Sequence, residues 1–491
     1  MKCIMIQGTM SGVGKSLITT GLCRIFRQDG YRVAPFKSQN MALNSFITRD
    51  GLEMGRAQAV QAMAAGVEPD VRMNPVLLKP SSDTGSQVIV NGEIRGDYEA
   101  RAYFRRKREL LPIILSAWRS LAEEYDILVV EGAGSPAEIN LKQDDIVNMG
   151  LAERINAPVL LVGDIDRGGV FAQLVGTIDL LEEQERTRVI GTVINKFRGD
   201  PSLLQPGLAM LEEKTGIPVL GVLPMTEIEI DDEDSLAPCL DEVRSHSLID
   251  LAAIHLPRIS NFTDFMPLER HKALGVRYVT EPAQLGTPDL ILLPGTKSTA
   301  EDLLWLRQNG LESAICRLAS KGVPVIGICG GFQMLGKSIW DPAGVEGGDV
   351  RGMGLLPCET VFLQEKTRTR VTGTVTAEPF AGAVVDAYEI HMGQTDRGRA
   401  APFCRLSDGK EDGAVSGHVF GTYLHGLFDS GPLTDRLANW LLARKGLNES
   451  YERTESHREY LERQFDRWAD VVRAHISIPA LYQEMERFQE R

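Results

Sequence analysis

The chain has 491 residues, 43% apolar and 24% charged, an ordinary globular composition with room for roughly two to four domains that each bury a core. Its net charge of -14 argues against nucleic-acid or anionic-membrane binding, while leaving room for small-molecule substrates held in a local pocket. The seven cysteines form no C-x-x-C pair, which excludes a zinc ribbon or disulfide frame and fits reduced thiols in a cytoplasm.

The first apolar stretch, Cys3 to Gln7, reads as a strand, and it runs straight into a glycine loop rather than a secretory signal. That loop is Gly8-Thr-Met-Ser-Gly-Val-Gly-Lys-Ser16, followed by an apolar helical run. Strand, glycine loop, Lys-Ser and helix together make a phosphate cradle in which loop amides and the helix N-terminus meet phosphate oxygens. Gly8, Thr9, Gly12, Gly14 and Lys15 are the expected ATP-phosphate contacts, and Ser16 an expected Mg²⁺ ligand. Five residues, not four, separate Gly8 from Gly14, a departure from the common spacing. The bland alternative, a plain glycine turn, does not account for Lys15-Ser16 opening a helix.

A second strand, Tyr31 to Phe36, ends in the polar cluster Lys37-Ser-Gln-Asn-Met41. In open parallel sheets, ligands bind beyond such strand ends. Gly55 to Ala65 reads as a small-residue helix, and Tyr98 to Tyr125 as one or two charged helices with a solvated face. The buried strand Asp126 to Val130 stops at Glu131, well placed as a second Mg²⁺ group opposite the phosphate loop. Strands at 158–163, 189–194 and 218–223 alternate with helices, which implies a doubly wound, mostly parallel sheet. Asn195, at a strand end, is a candidate reader of the adenine edge.

The loop Gly8-Thr-x-Ser-x-Val-Gly-Lys-Ser16 with Glu131-Gly-Ala-Gly134 resembles the dethiobiotin synthetase group of P-loop enzymes. That group uses ATP to activate a carboxylated substrate, and the resemblance carries a phosphate-contacting role onto Lys37. The first domain is therefore set at 1–230, with an acidic linker at 231–247.

A second alternating pattern begins at Leu248. Leu251 to Leu256 leads to the polar and aromatic loop Pro257-Arg-Ile-Ser-Asn-Phe-Thr-Asp-Phe265, expected to face the first domain. The buried strand Asp289 to Leu293 ends in a turn where the Gly295 amide is a candidate oxyanion donor. Val325 to Ile328 then runs into Cys329-Gly-Gly331 and a helical pattern. Small residues around one nucleophile at a strand-to-helix turn make an elbow like that of G-x-S-x-G hydrolases. The helix N-terminus favours the thiolate, and the Gly330 amide is the second candidate oxyanion donor. A lone cysteine would read as core; strand, glycines and helix in this order make Cys329 the candidate nucleophile. His425, at the end of a late strand, is its candidate proton carrier. His391, in Tyr388-Glu-Ile-His391, is the alternative, read as a pocket residue.

The half spanning 248–440 resembles class I glutamine amidotransferase domains, which hydrolyse glutamine through a Cys thioester and a His. Most of that class places a glutamate two residues after the histidine; here Leu427 stands there. That substitution is typical of the cobyrinate-amidating enzymes, and the fusion of the two halves resembles the same family. So do Lys37-Ser-Gln-Asn-Met-Ala-Leu-Asn-Ser45, Ser135-Pro-Ala-Glu-Ile-Asn-Leu141, Asp164-Ile-Asp-Arg-Gly-Gly-Val-Phe171, Asn195-Lys-Phe-Arg-Gly-Asp200 and Ile259-Ser-Asn-Phe-Thr-Asp-Phe265. The resemblance implies two α/β domains of doubly wound, mostly parallel sheet: a P-loop ATP-dependent ligase, then an amidotransferase. It implies ATP, Mg²⁺ and glutamine, and adenosylcobyrinic a,c-diamide as the corrinoid substrate, amidated at carboxylates b, d, e and g. Because water would destroy an activated carboxylate, a shielded ammonia path is expected.

Two alternatives stand beside this. Cobyrinate a,c-diamide synthase runs the same chemistry at other carboxylates. A P-loop ATPase switch with an inert partner-binding domain is a different class, but Met10 occupies the place of the lysine that such switches carry. The remaining segment, 441–491, reads as a helical extension in which Leu461, Phe465, Trp468 and Val472 recur at helical spacing, a stripe expected to pack on the second domain.

Overall fold

A computed structural model describes residues 2–80, 85–230 and 247–490. The linker expected at 231–247 lies, apart from Ser247, outside the described residues. The chain divides into two compact units. One comprises Met1–Ala42, Glu53–Ile230 and Leu461–Arg491; the other comprises Leu43–Leu52 and Asp231–Tyr460.

The first unit is built on six parallel strands. Their order from one edge is Val219–Pro224, Val189–Phe197, Val159–Asp164, Lys2–Gly8, Ile127–Glu131 and Val33–Phe36. The central strands are apolar without alternation and buried along their length, as strands covered on both faces require. Lys2–Gly8 sits between Val159–Asp164 and Ile127–Glu131. The phosphate loop therefore leaves the sheet beside Glu131 on one hand and Asp164 on the other. A separate four-stranded sheet holds Gln39–Met41, Val76–Pro80, Gly85–Val90 and Glu93–Glu99. The charged segment after Tyr98 forms a single helix, Ala100–Glu124, with Pro112 inside it.

The helical extension corrects the sequence reading. Its apolar stripe packs on the first unit, not the second. Leu461, Phe465, Trp468 and Val472 are buried on the helix Lys15–Gln28 and its neighbours. Trp468 Nε1 donates to the Leu17 carbonyl at 2.7 Å, and Arg24 pairs with Glu462 and Asp466 at 2.8 Å each. The last helix, Ile478–Glu490, adds Leu481, Met485 and Phe488 to the same core. Amphipathic spacing reveals an apolar face, not the surface that covers it.

The second unit carries its own six-stranded sheet. The order is Leu274–Val279, Ile249–Ile254, Leu290–Leu293, Val325–Ile328, Val419–Thr422 and Ala414–Ser416, with only the last pair antiparallel. Beside it stands a second sheet around the long antiparallel strands Glu359–Val375 and Val384–Asp396, which the sequence reading did not anticipate. Both units are α/β with mostly parallel principal sheets, as the alternation implied.

Candidate active site

In the first unit the loop geometry follows from its glycines. Gly14 caps the helix Lys15–Gln28 with φ 95°, a left-handed backbone that a side chain opposes. A Cβ there would also lie 2.3 Å from Asn195 Nδ2. Asn195, offered above as an adenine reader, donates through that nitrogen to the Val13 carbonyl at 2.8 Å, so here it braces the loop. Thr9 is held by its amide on the Val162 carbonyl and by its hydroxyl on Gln173. Lys15 Nζ donates to the carbonyls of Met10 at 3.0 Å and Gly134 at 3.1 Å, which places its ammonium between the loop and the Glu131-Gly-Ala-Gly turn.

Glu131 is the anchor of this site. It is 1% exposed. Its Oε1 accepts from Ser16 Oγ and Lys37 Nζ, both at 2.8 Å, and its Oε2 from Gln61 Nε2 at 2.6 Å. Burial pushes this carboxyl up, but the Lys37 ammonium and the three hydrogen bonds outweigh it and hold the group below the usual carboxylate range. Ser16 and Glu131 thus put two hard oxygens side by side. Mg²⁺ takes one or two such protein oxygens and completes its shell with phosphate and water, so this donor pair fits the ion. Among the described residues no cluster of three or more His, Cys, Asp or Glu could hold a metal. Gln61 was not anticipated: its helix, Arg56–Ala65, reads as small-residue packing.

In the second unit, register brings nucleophile and histidine together. Val325–Ile328 pairs in parallel with Val419–Thr422, Ile328 opposite Thr422. Cys329 and the segment 423–425 therefore leave the sheet at the same edge. Cys329 is buried, 8% exposed, with φ 51° and ψ -108°, a strained backbone for a non-glycine residue. The helix Gly330–Leu335 starts on the next residue, and the Cys329 amide donates to the Thr422 carbonyl at 2.8 Å. This is the elbow the sequence implied.

His425 is 1% exposed and fills the gap between Cys329 and a carboxylate that sequence reasoning missed. His425 Nδ1 donates to Asp264 Oδ2 at 2.7 Å, and the Gly426 amide donates to Asp264 Oδ1 at 2.8 Å. Asp264 thus fixes the ring and the backbone behind it. Its bond at Nδ1 turns the other ring nitrogen toward the thiol. Burial lowers the imidazole pKa, but the Asp264 charge, its hydrogen bond and a hydrogen bond with Cys329 raise it to about 10. The orienting carboxylate absent at Leu427, itself buried, is supplied from 161 residues upstream. The loop carrying it, expected to face the first domain, turns Asp264 into His425. Asn261, at φ 54°, shapes that loop. Its amide donates to Asn44 Oδ1 at 2.7 Å and its Nδ2 to Tyr388 Oη at 2.5 Å. Tyr388 in turn stacks on His425, ring centroids 5.3 Å apart.

Gly295 lies against the same histidine, since a Cβ there would come within 3.0 Å of His425 Cε1. Its amide, however, belongs to an antiparallel pair with Ser260. Lys297 N donates to the Arg258 carbonyl, and hydrogen-bonded pairs recur at every second residue of such a ladder, which directs the Gly295 N–H at Ser260. The Thr296 N–H points the other way. A Cβ on Gly330 would sit 3.1 Å from the Thr296 nitrogen, so that nitrogen lies close to the residue after the nucleophile. Thr296 is held there by its hydroxyl, which donates to Asp302 Oδ2 at 2.5 Å.

His391, the alternative proton carrier, is not the partner of Cys329. Its ring stacks on Tyr423, centroids 3.7 Å apart, and its Nδ1 meets the Gly393 carbonyl at 2.7 Å.

Comparison with known proteins agrees with both halves. Residues 4–236 match the CobQ/CobB/MinD/ParA nucleotide-binding domain, and residues 250–433 match the CobB/CobQ-like glutamine amidotransferase domain. Curated relatives named cobyric acid synthase resemble the whole chain. That of Ruminiclostridium cellulolyticum is 54% identical, covering 99% of this chain and 97% of the relative. That of Lachnoclostridium phytofermentans is 52% identical and that of Clostridium acetobutylicum 50%, each covering 99% of both chains. With a glutaminase elbow in one unit and a phosphate loop in the other, and relatives at this identity across nearly its whole length, the chain belongs to the cobyric acid synthase family.

Proposed function

We propose that the chain catalyses ATP- and glutamine-dependent amidation of carboxylates b, d, e and g of adenosylcobyrinic a,c-diamide. The observation that carries the glutamine half is the chain of contacts Cys329–His425–Asp264. The Cys329 thiolate attacks the glutamine carboxamide carbon. The oxyanion forms against the Gly330 N–H, with the Thr296 N–H as second donor in place of Gly295. His425, protonated and steadied by Asp264, passes a proton to the departing nitrogen. Ammonia leaves, and water releases glutamate from the thioester.

In the first unit a substrate carboxylate takes the γ-phosphoryl group of ATP, because a free carboxylate is a poor electrophile at neutral pH. Ammonia then displaces phosphate and leaves the amide. Gly8, Thr9, Gly12 and Gly14 shape the loop whose amides face phosphate oxygens, and Asn195 holds that loop in place. Lys15 and Lys37 offset charge on the transferring group. Ser16 and Glu131 are the residues that would hold Mg²⁺, which when bound offsets charge on the β- and γ-phosphates.

The test is mass spectrometry of cobyrinic a,c-diamide incubated with ATP, Mg²⁺ and a nitrogen source. The wild-type chain adds amides at b, d, e and g with glutamine or ammonium. Cys329→Ser does so with ammonium only. Absence of product from the a,c-diamide with either source refutes the proposal, and if cobyrinic acid incubated in parallel then gains amides at a and c, the chain carries out the a,c-diamide synthase reaction instead.

A further inference from the structure

Among the described residues, His391 is the one histidine near the nucleophile that the mechanism above does not use. It lies on the strand Val384–Asp396, directly after Ile390, whose carbonyl is 3.6 Å from Cys329 Sγ. Its ring is clamped. One face lies on Tyr423 at 3.7 Å and an interplanar angle of 17°. Tyr423 is itself fixed by hydrogen bonds with Thr395 at 2.6 Å and Gln333 at 3.3 Å. The ring cannot turn to suit a partner.

Its two nitrogens have different fates. A carbonyl only accepts, so the 2.7 Å contact with Gly393 O puts the hydrogen on Nδ1. Burial, together with the nearby His425 charge, lowers the pKa to about 4, against a smaller opposing effect of the Gly393 carbonyl. The ring is therefore neutral at neutral pH, and Nε2 carries a bare lone pair. That atom is buried and has no hydrogen-bond partner among the described residues. A buried polar atom without a partner bears an uncompensated desolvation cost. A side chain locked at one nitrogen and unsatisfied at the other, one residue from the carbonyl that meets the nucleophile, leaves an acceptor for a ligand.

We propose that His391 Nε2 accepts a hydrogen bond from the carboxamide nitrogen of glutamine, and from the ammonia that nitrogen becomes. A neutral acceptor suits the neutral –NH₂ group and gives nothing to a carboxylate or an ester oxygen. It exchanges no proton. As sulfur bonds to the carbonyl carbon and the C–N bond breaks, the proton that completes ammonia comes from His425, while His391 holds the nitrogen in place. This makes His391 a binding residue that separates amides from esters, a selectivity the thiol and His425 do not supply themselves. The assignment rests on glutamine hydrolysis at Cys329, so the test includes a substrate that reports on that chemistry independently.

The experiment compares hydrolysis of L-glutamine and of L-glutamate γ-methyl ester by the full chain. Both form the same thioester, but the ester leaving group has no N–H. His391→Phe keeps an aromatic ring for Tyr423 and removes the lone pair; His391→Gln restores an acceptor oxygen. The expected result is an about ten-fold fall in kcat/KM for glutamine in His391→Phe, from the loss of one hydrogen bond, with ester hydrolysis within about two-fold of wild type. His391→Gln recovers most of the loss. The ester-to-amide ratio within each variant does not depend on how much of it is folded. Equal losses on both substrates, no loss on glutamine, or no recovery in His391→Gln overturns the proposal. Failure of the wild-type chain to hydrolyse either substrate refutes the glutaminase reading itself.

Discussion

Each unit has a buried carboxylate at the heart of its site, Glu131 in one and Asp264 in the other, and the two are held differently. Glu131 is surrounded by the tips of flexible or rotatable side chains: the Lys37 ammonium, the Ser16 hydroxyl and the Gln61 amide. Asp264 is held by a histidine ring and by a backbone amide, that of Gly426. A lysine on a four-carbon stem and a hydroxyl can exchange one partner for a phosphate or a cation; a ring pinned beside a backbone amide cannot. The first arrangement suits a site whose charges are rearranged at every turnover. The second suits a site whose geometry must stay constant while a proton moves.

The comparison can be broken most forcefully at Glu131. Glu131→Gln breaks the buried ion pair with Lys37, which costs about 3–5 kcal/mol, and removes a metal-facing oxygen. Amidation is expected to be lost with glutamine and with ammonium alike, and thermal unfolding of the variant to show the destabilisation. Retained ammonium-driven synthesis would mean that Glu131 is structural only.

Asp264→Asn probes the fixed arrangement. Glutamine-driven turnover is expected to fall about 100-fold, the lower range for losing proper general acid–base catalysis, while ammonium-driven amidation is unchanged. There is also a pH signature. The His425 pKa is raised from 6.5 to about 10, so the folded protein holds a proton that the unfolded chain releases. This stabilisation is fully present below pH 6.5 and is lost as pH rises through about 10. The difference in melting temperature between wild type and Asp264→Asn should therefore be largest at pH 6 and vanish above pH 10. A difference that grows with pH would contradict the imidazolium–carboxylate pairing.

The smallest effect sharpens the comparison further back. Asn44→Ala removes the acceptor of the Asn261 amide, at a cost of about 1–3 kcal/mol for a buried group left unpaired. Glutamine-driven kcat should drop several-fold through the Asp264 loop, with little change for ammonium. A steady-state comparison of the two nitrogen sources reads this directly.

What could be read from the sequence was whatever lies contiguous in it. Gly8 to Ser16, Glu131 at a strand end, and Cys329 between strand and helix each carry their own local context, and each has the geometry implied. His425 was placed by its strand end alone. Asp264 was not, because its partner is 161 positions away and only the folded chain brings them together. The motif around it was visible; its direction was not. The Gly295 and Thr296 amides differ by one residue in a pleat, and a one-residue step reverses the direction of the N–H, which spacing does not reveal. Gln61 sits in a helix whose composition says only that it packs closely.

The return of residues 461–490 to the first unit has a consequence for how the molecule comes into being. The helix Lys15–Gln28 is translated early, yet Trp468 and Val472, which cover it, are made more than 400 residues later. A nascent chain can finish its glutaminase before its nucleotide-binding half has a closed core, leaving the earlier half incomplete and exposed on the ribosome until residues 461–490 emerge.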